Sequence, residues 1–333
     1  MQEFLAQEIV AKLKSARKVL LVMHRRPDPD SIGSAAAMGE FLELHGIAHA
    51  YYCVTAVPAE ARRFGIEPTK VFNPDTLKEA ILDFDVIMTF DAGDLKHAGL
   101  EEIITPPLSS PRLLGRMGGV GSFIINFDHH ATNARFGNFN LVEVGCASTT
   151  ELLYRFFEAL NFPISARIAT CLLAGLLVDT DHFFNPATTG SALQVAAAMM
   201  SRGVTLTELR QFLFERRGIR SLKLIGEVLA RLYRPPRYDI AVAYLTEEDI
   251  ERHGVDAEDL DGIANLLNAI GDAQAMLFLK SGGGFIRGSL RTTRKEVNVG
   301  RLAELLGGGG HRKAAGFTLA GALRAEGNCV RVV

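Results

Sequence analysis

The side chains best able to do chemistry in this chain are imidazoles and carboxylates, grouped at four places. His24 is followed closely by Asp28 and Asp30, Asp91 stands apart, Asp128, His129 and His130 are contiguous, and Asp179 closes an apolar run. Carboxylates brought together repel one another strongly unless cations neutralise them. Two divalent ions would do so, and an Asp can bridge a pair. Imidazole and carboxylate together make a hard-to-borderline donor set, which suits Mn²⁺ first and Mg²⁺ as the alternative better than a thiolate-selecting metal.

Whether these groups meet depends on the elements that carry them. His24 ends the apolar run KVLLVMH, Asp91 ends DVIMTFD, and Asp128 ends SFIINFD, all reading as buried strands; AHAYYCV reads as a further one. A helix is expected over DSIGSAAAMGEFLELHG, with Asp30 or Ser31 near its start and Gly46 at its stop. Leu5, Ile9 and Leu13 mark an earlier helix, and Asp179 ends the apolar helix AGLLVD. Strands alternating with helices imply parallel pairing and right-handed crossovers, hence an α/β doubly wound sheet. In such a sheet ligands bind at the carboxyl ends of the strands, so three independent strands deliver His and Asp to one rim.

A chain of 333 residues exceeds the usual size of one core. The expected division is a catalytic domain at 1–185, a helical connector at 186–236 ending at Pro235 and Pro236 with basic residues Arg216, Arg217 and Arg220, and a smaller mixed-sheet α/β domain at 237–333. The segment ITPPLSSPRLLGRMGG reads as a surface loop. A net charge of −2 argues against coating long nucleic acid by bulk electrostatics. The four cysteines (Cys53, Cys146, Cys171, Cys329) form no CxxC pair, which favours a reducing, cytoplasmic setting. The N-terminal stretch lacks an uninterrupted apolar signal core, and CLLAGLLV is too short to span a bilayer, so no membrane partner is expected.

Each group alone has a plainer explanation. Asp28-Pro29-Asp30 is common turn and N-cap chemistry, Asp91 could start a loop, the His pair could be one buried and one exposed side chain, and Asp179 could mark a helix boundary. Coincidence on one rim favours metal. At this point HRRPDPDSIGS, DAGD, DHH and LLVDTDHF, in that order, resemble the four motifs of the DHH phosphoesterase superfamily, while GFIRGSLRTT and GGGGHRKAAGF resemble its DHH-associated domain. The resemblance spans nearly the whole chain and points to the short two-domain oligoribonuclease and 3′-phosphoadenosine 5′-phosphate phosphatase group. It implies that His24 and Asp28 hold one metal, that Asp30, His129 and Asp179 hold the other, and that Asp91 bridges them. It implies also that Asp128 orients the site and that His130 contacts the scissile phosphate. Two positions depart from the pattern: His97 stands where an Arg is frequent, and Lys280 where an acidic residue is common. Divalent ions so held lower the pKa of a shared water enough for attack near neutral pH, and no Ser or Cys triad is needed.

In the second domain, Gly307 to Gly310 precede His311. A glycine run lets backbone N–H groups approach an anion, although alone it would be a hairpin loop. Arg287, Ser289 and Arg291 alternate with period two on one strand, and Arg forks bind phosphate bidentately. By resemblance, Arg287, Ser289, Arg291, Gly308, Gly309, Gly310 and His311 grip the substrate, while Arg294, Lys295, Arg312 and Lys313 read as solvated charges. A site shared between two domains suits short oligonucleotides or nucleotides rather than long nucleic acid; oligomerisation stays open. The alternatives are a cyclic- or linear-dinucleotide phosphodiesterase, an inorganic pyrophosphatase or exopolyphosphatase, and a catalytically silent nucleotide sensor. GGGGHRKAAG speaks against the pyrophosphatase, and the filled ligand positions speak against the sensor.

Overall fold

A computed structural model describes residues 2–104, 123–185, 187–207, 209, 219–255, 267, 272–310, 312–326 and 329–333. Most of the expected Pro/Ser/Gly loop, together with Arg216, Arg217 and His311, lies outside the described residues. The chain forms two compact units, Met1–Glu215 and Arg216–Val333. Among the described residues, the stretch 186–236 includes the helix Gly190–Met200 in the first unit and Ile219–Ala230 in the second.

In the first unit, β1 (Lys18–Met23), β2 (Ala48–Cys53), β3 (Val86–Phe90), β4 (Phe123–Asp128) and β5 (Phe139–Val142) form one sheet in the order β2-β1-β3-β4-β5, with every pairing parallel. The chain winds outward in both directions from β1 and β3, which makes the gap between their carboxyl ends the topological switch point where such sheets bind ligands. Successive side chains of a strand face opposite sides. Accordingly Val19, Leu21 and Met23 enter the larger core beneath the helices, while Leu20 and Val22 enter a second core with Leu77, Phe84, Ile87 and Leu100.

The helices α1 (Gln2–Lys14), α2 (Pro29–Leu44), α3 (Pro74–Ala80), α4 (Thr149–Ala159), α5 (Ala166–Asp179) and α6 (Gly190–Met200) complete the unit, with a single turn at Glu101–Ile104. Helix α2 starts because the Asp28 carboxylate accepts from the N–H groups of Asp30 and Ser31, each at 3.0 Å, and Pro29 pre-sets the first helical φ. It stops at Gly46, whose φ of +67° suits glycine. Asp28 is thus the N-cap, and Asp30 and Ser31 lie in the first turn, near the start as expected. Helices α2 and α5 pack closely because Gly33 and Gly175 lack side chains: a Cβ at Gly33 would lie 2.4 Å from the Cys171 carbonyl oxygen, and one at Gly175 would lie 2.6 Å from Asp30 Oδ1. That second contact fixes where a candidate ligand can sit.

The second unit contains α7 (Ile219–Ala230), α8 (Glu247–His253), α9 (Val299–Leu305) and a mixed sheet in the order β6-β7-β8-β10-β9. Strands β6 (Ile240–Leu245) and β7 (Ala275–Gly282) are parallel; β8 (Phe285–Arg291), β10 (Ala314–Ala320) and β9 (Gly309–Gly310) add antiparallel pairings. Helices α7 and α8 cover one face with Leu224 and Val228 in its core, and α9 covers the other with Val299 and Ala303. A small hairpin of β11 (Leu323–Glu326) and β12 (Cys329–Val332) ends the chain. No helix among the described residues is long and apolar enough to cross a membrane.

Candidate metal centre

His24 follows β1 directly and Asp91 follows β3, so the switch point itself presents the first two ligands. Ser31 ties them together: its Oγ accepts the His24 N–H at 3.1 Å and donates to the Phe90 carbonyl at 3.2 Å. Asp91 adopts φ +57°, a left-handed conformation that a non-glycine residue holds only when its surroundings enforce it. Here its N–H donates to the Phe127 carbonyl at 3.0 Å, extending the sheet one residue past the strand.

Three ligand groups result. His24, Asp28 and Asp91 offer atoms within 4.8 Å of one another, as do Asp30, His129 and Asp179, and likewise Asp91, Asp128, His129 and His130. His24 Nε2 lies 3.2 Å from Asp91 Oδ2 and 3.5 Å from Asp28 Oδ1. His129 Nε2 lies 3.1 Å from Asp179 Oδ2 and 3.5 Å from Asp91 Oδ1. Asp91 thus faces both imidazoles with different oxygens, the placement expected of a bridging carboxylate.

Each ring is oriented from behind. His24 Nδ1 donates to the Arg25 carbonyl at 2.9 Å and His129 Nδ1 faces the Cys146 carbonyl at 3.4 Å, which leaves both Nε2 atoms free to bind. His129 Nε2 is buried and makes no hydrogen bond, although two carboxylate oxygens lie close by. A buried polar atom without a hydrogen bond is costly, and a cation between these oxygens and the ring would satisfy it. The donor set therefore fits divalent ions.

The electrostatics agree. Burial works against a charge on His24, but the Asp28 and Asp91 carboxylates outweigh it and push its pKa up to about 11. His129 is likewise opposed by burial and pushed up to about 11 by Asp179 and Asp91. Burial opposes ionisation of Asp91, yet His129 and His24 hold it well below the ordinary carboxylate range. Asp30, fully buried, is raised by desolvation and then by Asp179 and Asp91; burial is also the main cause that lifts Asp179 to about 6. Without metal, the centre holds protons on imidazoles that a cation must displace.

Asp30 and Asp128 are each gripped by their surroundings. The start of α4 donates to Asp30 three times: Thr149 N–H to Oδ2 at 2.8 Å, Thr150 N–H to Oδ1 at 2.9 Å, and Thr150 Oγ1 to Oδ1 at 2.7 Å. A helix N-terminus suits an anion. Thr149 Oγ1 donates to Asp91 Oδ1 at 3.2 Å. Asp128 Oδ1 accepts the N–H groups of His129 and His130 at 2.8 and 3.2 Å and the His130 ring at 2.8 Å, while Asn133 Nδ2 reaches Oδ2 at 2.5 Å. The His130 side chain is 41% exposed, and its hydrogen bond to Asp128 raises its pKa. It combines a fixed ring, a positive bias and access from solvent.

Thr149, Thr150 and Asn133 did not stand out in the sequence. Asn126 was the available signal: a polar residue in the middle of FIINFD, buried, accepting from Thr89 Oγ1 at 3.1 Å and donating to Asn133 Oδ1 at 3.0 Å. His97, in the place where the resemblance leads one to expect Arg, stacks on His24 with ring centroids 4.8 Å apart. Its carbonyl accepts from Arg25 N–H at 2.9 Å.

In the second unit, Arg287, Ser289 and Arg291 lie on the less buried face of β8, as the alternation requires. Ser289 sits opposite Gly316 of β10, which sits opposite Gly309 of β9, so the serine and the glycine strand share one row across the sheet. Arg291 is half-buried; its guanidinium donates to its own Leu290 carbonyl at 3.1 Å, and it pairs with no carboxylate among the described residues. The glycine run is not uniform. The N–H groups of Gly307 and Gly308 donate to the Glu304 and Ala303 carbonyls, capping α9, which leaves them unavailable to an anion. Gly309 and Gly310 form the exposed edge strand. Gly308 must be glycine for packing, since a Cβ would lie 2.1 Å from the Gly316 carbonyl oxygen.

A parallel sheet with paired imidazole and carboxylate side chains at its switch point fits a divalent-metal centre. The family model described as "DHH family, N-terminal domain" matches residues 18–176, and the DHHA1 domain matches residues 238–327. The chain belongs to the DHH family, and it is a hydrolase that works with divalent metal ions. It is 30% identical over 303 residues to the bifunctional oligoribonuclease and PAP phosphatase NrnA of Thermus thermophilus, covering 91% of this chain and 84% of the relative. It is 21% identical to the Bacillus subtilis protein of that name, covering 94% and 92%. Its fold is that of an exopolyphosphatase-related protein from Bacteroides fragilis, with a TM-score of 0.81 at 24% identity over 95% of this chain and 91% of that one.

Proposed function

We propose that this enzyme hydrolyses the phosphoester bonds of short oligoribonucleotides and of 3′-phosphoadenosine 5′-phosphate, with Mn²⁺ as its metal. The observation that carries the reading is the pair of ligand groups, His24 with Asp28 and Asp30 with His129 and Asp179, that face Asp91 from two sides. Support for the substrates comes from the Thermus thermophilus and Bacillus subtilis relatives, whose names give both activities.

In this reading His24 and Asp28 would hold one ion, Asp30, His129 and Asp179 would hold the other, and Asp91 would serve both. The ions supply Lewis acidity and a lowered water pKa. The protein's own contribution is orientation. Asp128 fixes His130, and the exposed His130 imidazole donates to a non-bridging oxygen of the scissile phosphate as negative charge grows there. A pre-aimed donor of this kind commonly contributes about 3–4 kcal/mol. Arg291, partly desolvated and without a carboxylate partner, is suited to hold a second substrate anion; Arg287, Ser289, Gly309 and Gly310 flank it on the same sheet.

The test offers the purified protein with Mn²⁺ a diribonucleotide, 3′-phosphoadenosine 5′-phosphate, cyclic di-AMP and pyrophosphate. Turnover of the first two, abolished by chelator and in His129→Ala, is expected. Turnover of pyrophosphate alone would overturn the substrate assignment, and hydrolysis of cyclic di-AMP ahead of both would make the enzyme a cyclic-dinucleotide phosphodiesterase. The four free cysteines, three of them buried, accord with a reducing cytoplasm.

A further inference from the structure

The loop that follows Asp179 is held in an unusual way. Asp181, His182 and Phe183 all have positive φ, at +49°, +59° and +71°, so three successive non-glycine residues lie in the left-handed region. Such a conformation survives only where the surroundings over-determine it. Every backbone N–H from 181 to 185 is committed: Asp181 to the Val178 carbonyl, His182 to that of Leu177, Phe183 to Thr180 Oγ1, Phe184 to the Asp181 carbonyl and Asn185 to that of Thr180. Asn185 Nδ2 then donates to the Asp179 carbonyl at 2.6 Å, closing the loop onto a candidate ligand.

The two phenylalanines in this loop behave differently. Phe183 packs against the large core and anchors the turn. Phe184, next in the chain, is 89% exposed, more than any other large hydrophobic side chain described. It is one Cα–Cα step, about 3.8 Å, from Asn185. The backbone hydrogen bonds fix the main chain that carries it. An aromatic ring thus stands in water on a strained and fully bonded loop that closes onto Asp179.

We infer that Phe184 is the surface on which a nucleobase of the substrate stacks, and that it makes the enzyme prefer nucleotides over bare phosphates. This rests on the nucleotide reading given above. Every base offers a π-face, so a single ring accepts a base without reading its identity. That suits substrates defined by length rather than sequence. Neither the metal ligands nor His130 contributes to such a preference, since all of them address the phosphate alone.

The sequence contains no tryptophan, so Phe184→Trp installs a sole tryptophan, excited apart from the tyrosines, as a reporter at the position. Stacking predicts saturable quenching of its emission by 3′-phosphoadenosine 5′-phosphate, and none by pyrophosphate at the same charge concentration. Phe184→Ala should raise KM for a diribonucleotide about tenfold, at the lower end of what base–aromatic stacking contributes, with kcat and Mn²⁺ affinity within about twofold of the parent. Phe184→Tyr should restore KM, and an abasic dinucleotide should be cleaved equally by all forms. Quenching without turnover of either nucleotide would sink the proposed activity and leave the stacking role standing. Turnover with an unchanged KM in Phe184→Ala, or equal loss on the abasic substrate, would overturn the stacking role.

Discussion

The absent side chain of Gly175 is as much a part of the metal centre as its ligands, and Gly175→Ala tests this. A Cβ there would lie 2.6 Å from Asp30 Oδ1, 2.6 Å from Thr150 Cγ2 and 2.7 Å from Asp30 Cα. Ordinary contacts of this type fall at about 3.5–4.0 Å, so the carboxylate or the helix must shift by about 1 Å. Replacing a helical glycine by alanine otherwise favours folding by about 1 kcal/mol. Against that stand overpacking, at about 1–3 kcal/mol, and strain on the three hydrogen bonds that hold Asp30, each worth about 1.5–3 kcal/mol. A net loss of about 2 kcal/mol is expected, which lowers Tm by about 4–8 °C for a unit of this size. Displacing a ligand by about 1 Å should also reduce kcat about 10²-fold and weaken Mn²⁺ binding. Gly226→Ala on α7 is the control: nothing lies within 4 Å of its Cβ, and it should stabilise the protein by up to about 1 kcal/mol. Thermal unfolding and Mn²⁺ titration of both variants decide the matter. If Gly175→Ala behaves like Gly226→Ala and binds Mn²⁺ normally, the close approach of the two helices does not position Asp30.

Asn133→Ala should lower kcat about 10–100-fold by freeing Asp128, with little change in KM, as steady-state kinetics would show. Metal binding should release protons, because His24 and His129 are held charged with pKa values near 11 until a cation takes their lone pairs; affinity measured from pH 6 to 9 should climb, and a flat profile would refute it. The same raised pKa values stabilise the chelated protein fully below pH 6.5, a contribution lost as pH rises toward 11. Its Tm should therefore fall between pH 7 and 9, whereas that of the Mn²⁺-loaded protein should not follow. Arg291→Ala should raise KM far more than it lowers Mn²⁺ content measured by elemental analysis; loss of the metals would contradict its assignment to the substrate.

The placing of the candidate ligands was legible in the sequence because hydrophobic strands announce their own ends, and a His or Asp directly after KVLLVM, DVIMTF or FIINF has a defined location before any coordinates exist. The start of α2 was legible too, because Asp28-Pro29 is an ordinary N-cap and first-turn pair. What stayed hidden were residues whose chemistry is ordinary. Thr149 and Thr150 look like any helix start, and only the fold brings them against Asp30, more than a hundred positions earlier. Asn133 looks like a loop residue until Asp128 is seen to need it. The glycine run misled in part, because a Gly that ends a helix and a Gly that exposes its N–H to an anion are written with the same letter.

The hydrogen bond from Asp91 N–H to Phe127 O, together with the Ser31 hydroxyl set between His24 and Phe90, ties two of the candidate ligands, His24 and Asp91, directly to the central strands. Amides there exchange with solvent only when the whole unit opens. Cation release should therefore follow unfolding: heating the Mn²⁺-loaded protein should free the ions in the same transition that melts the sheet.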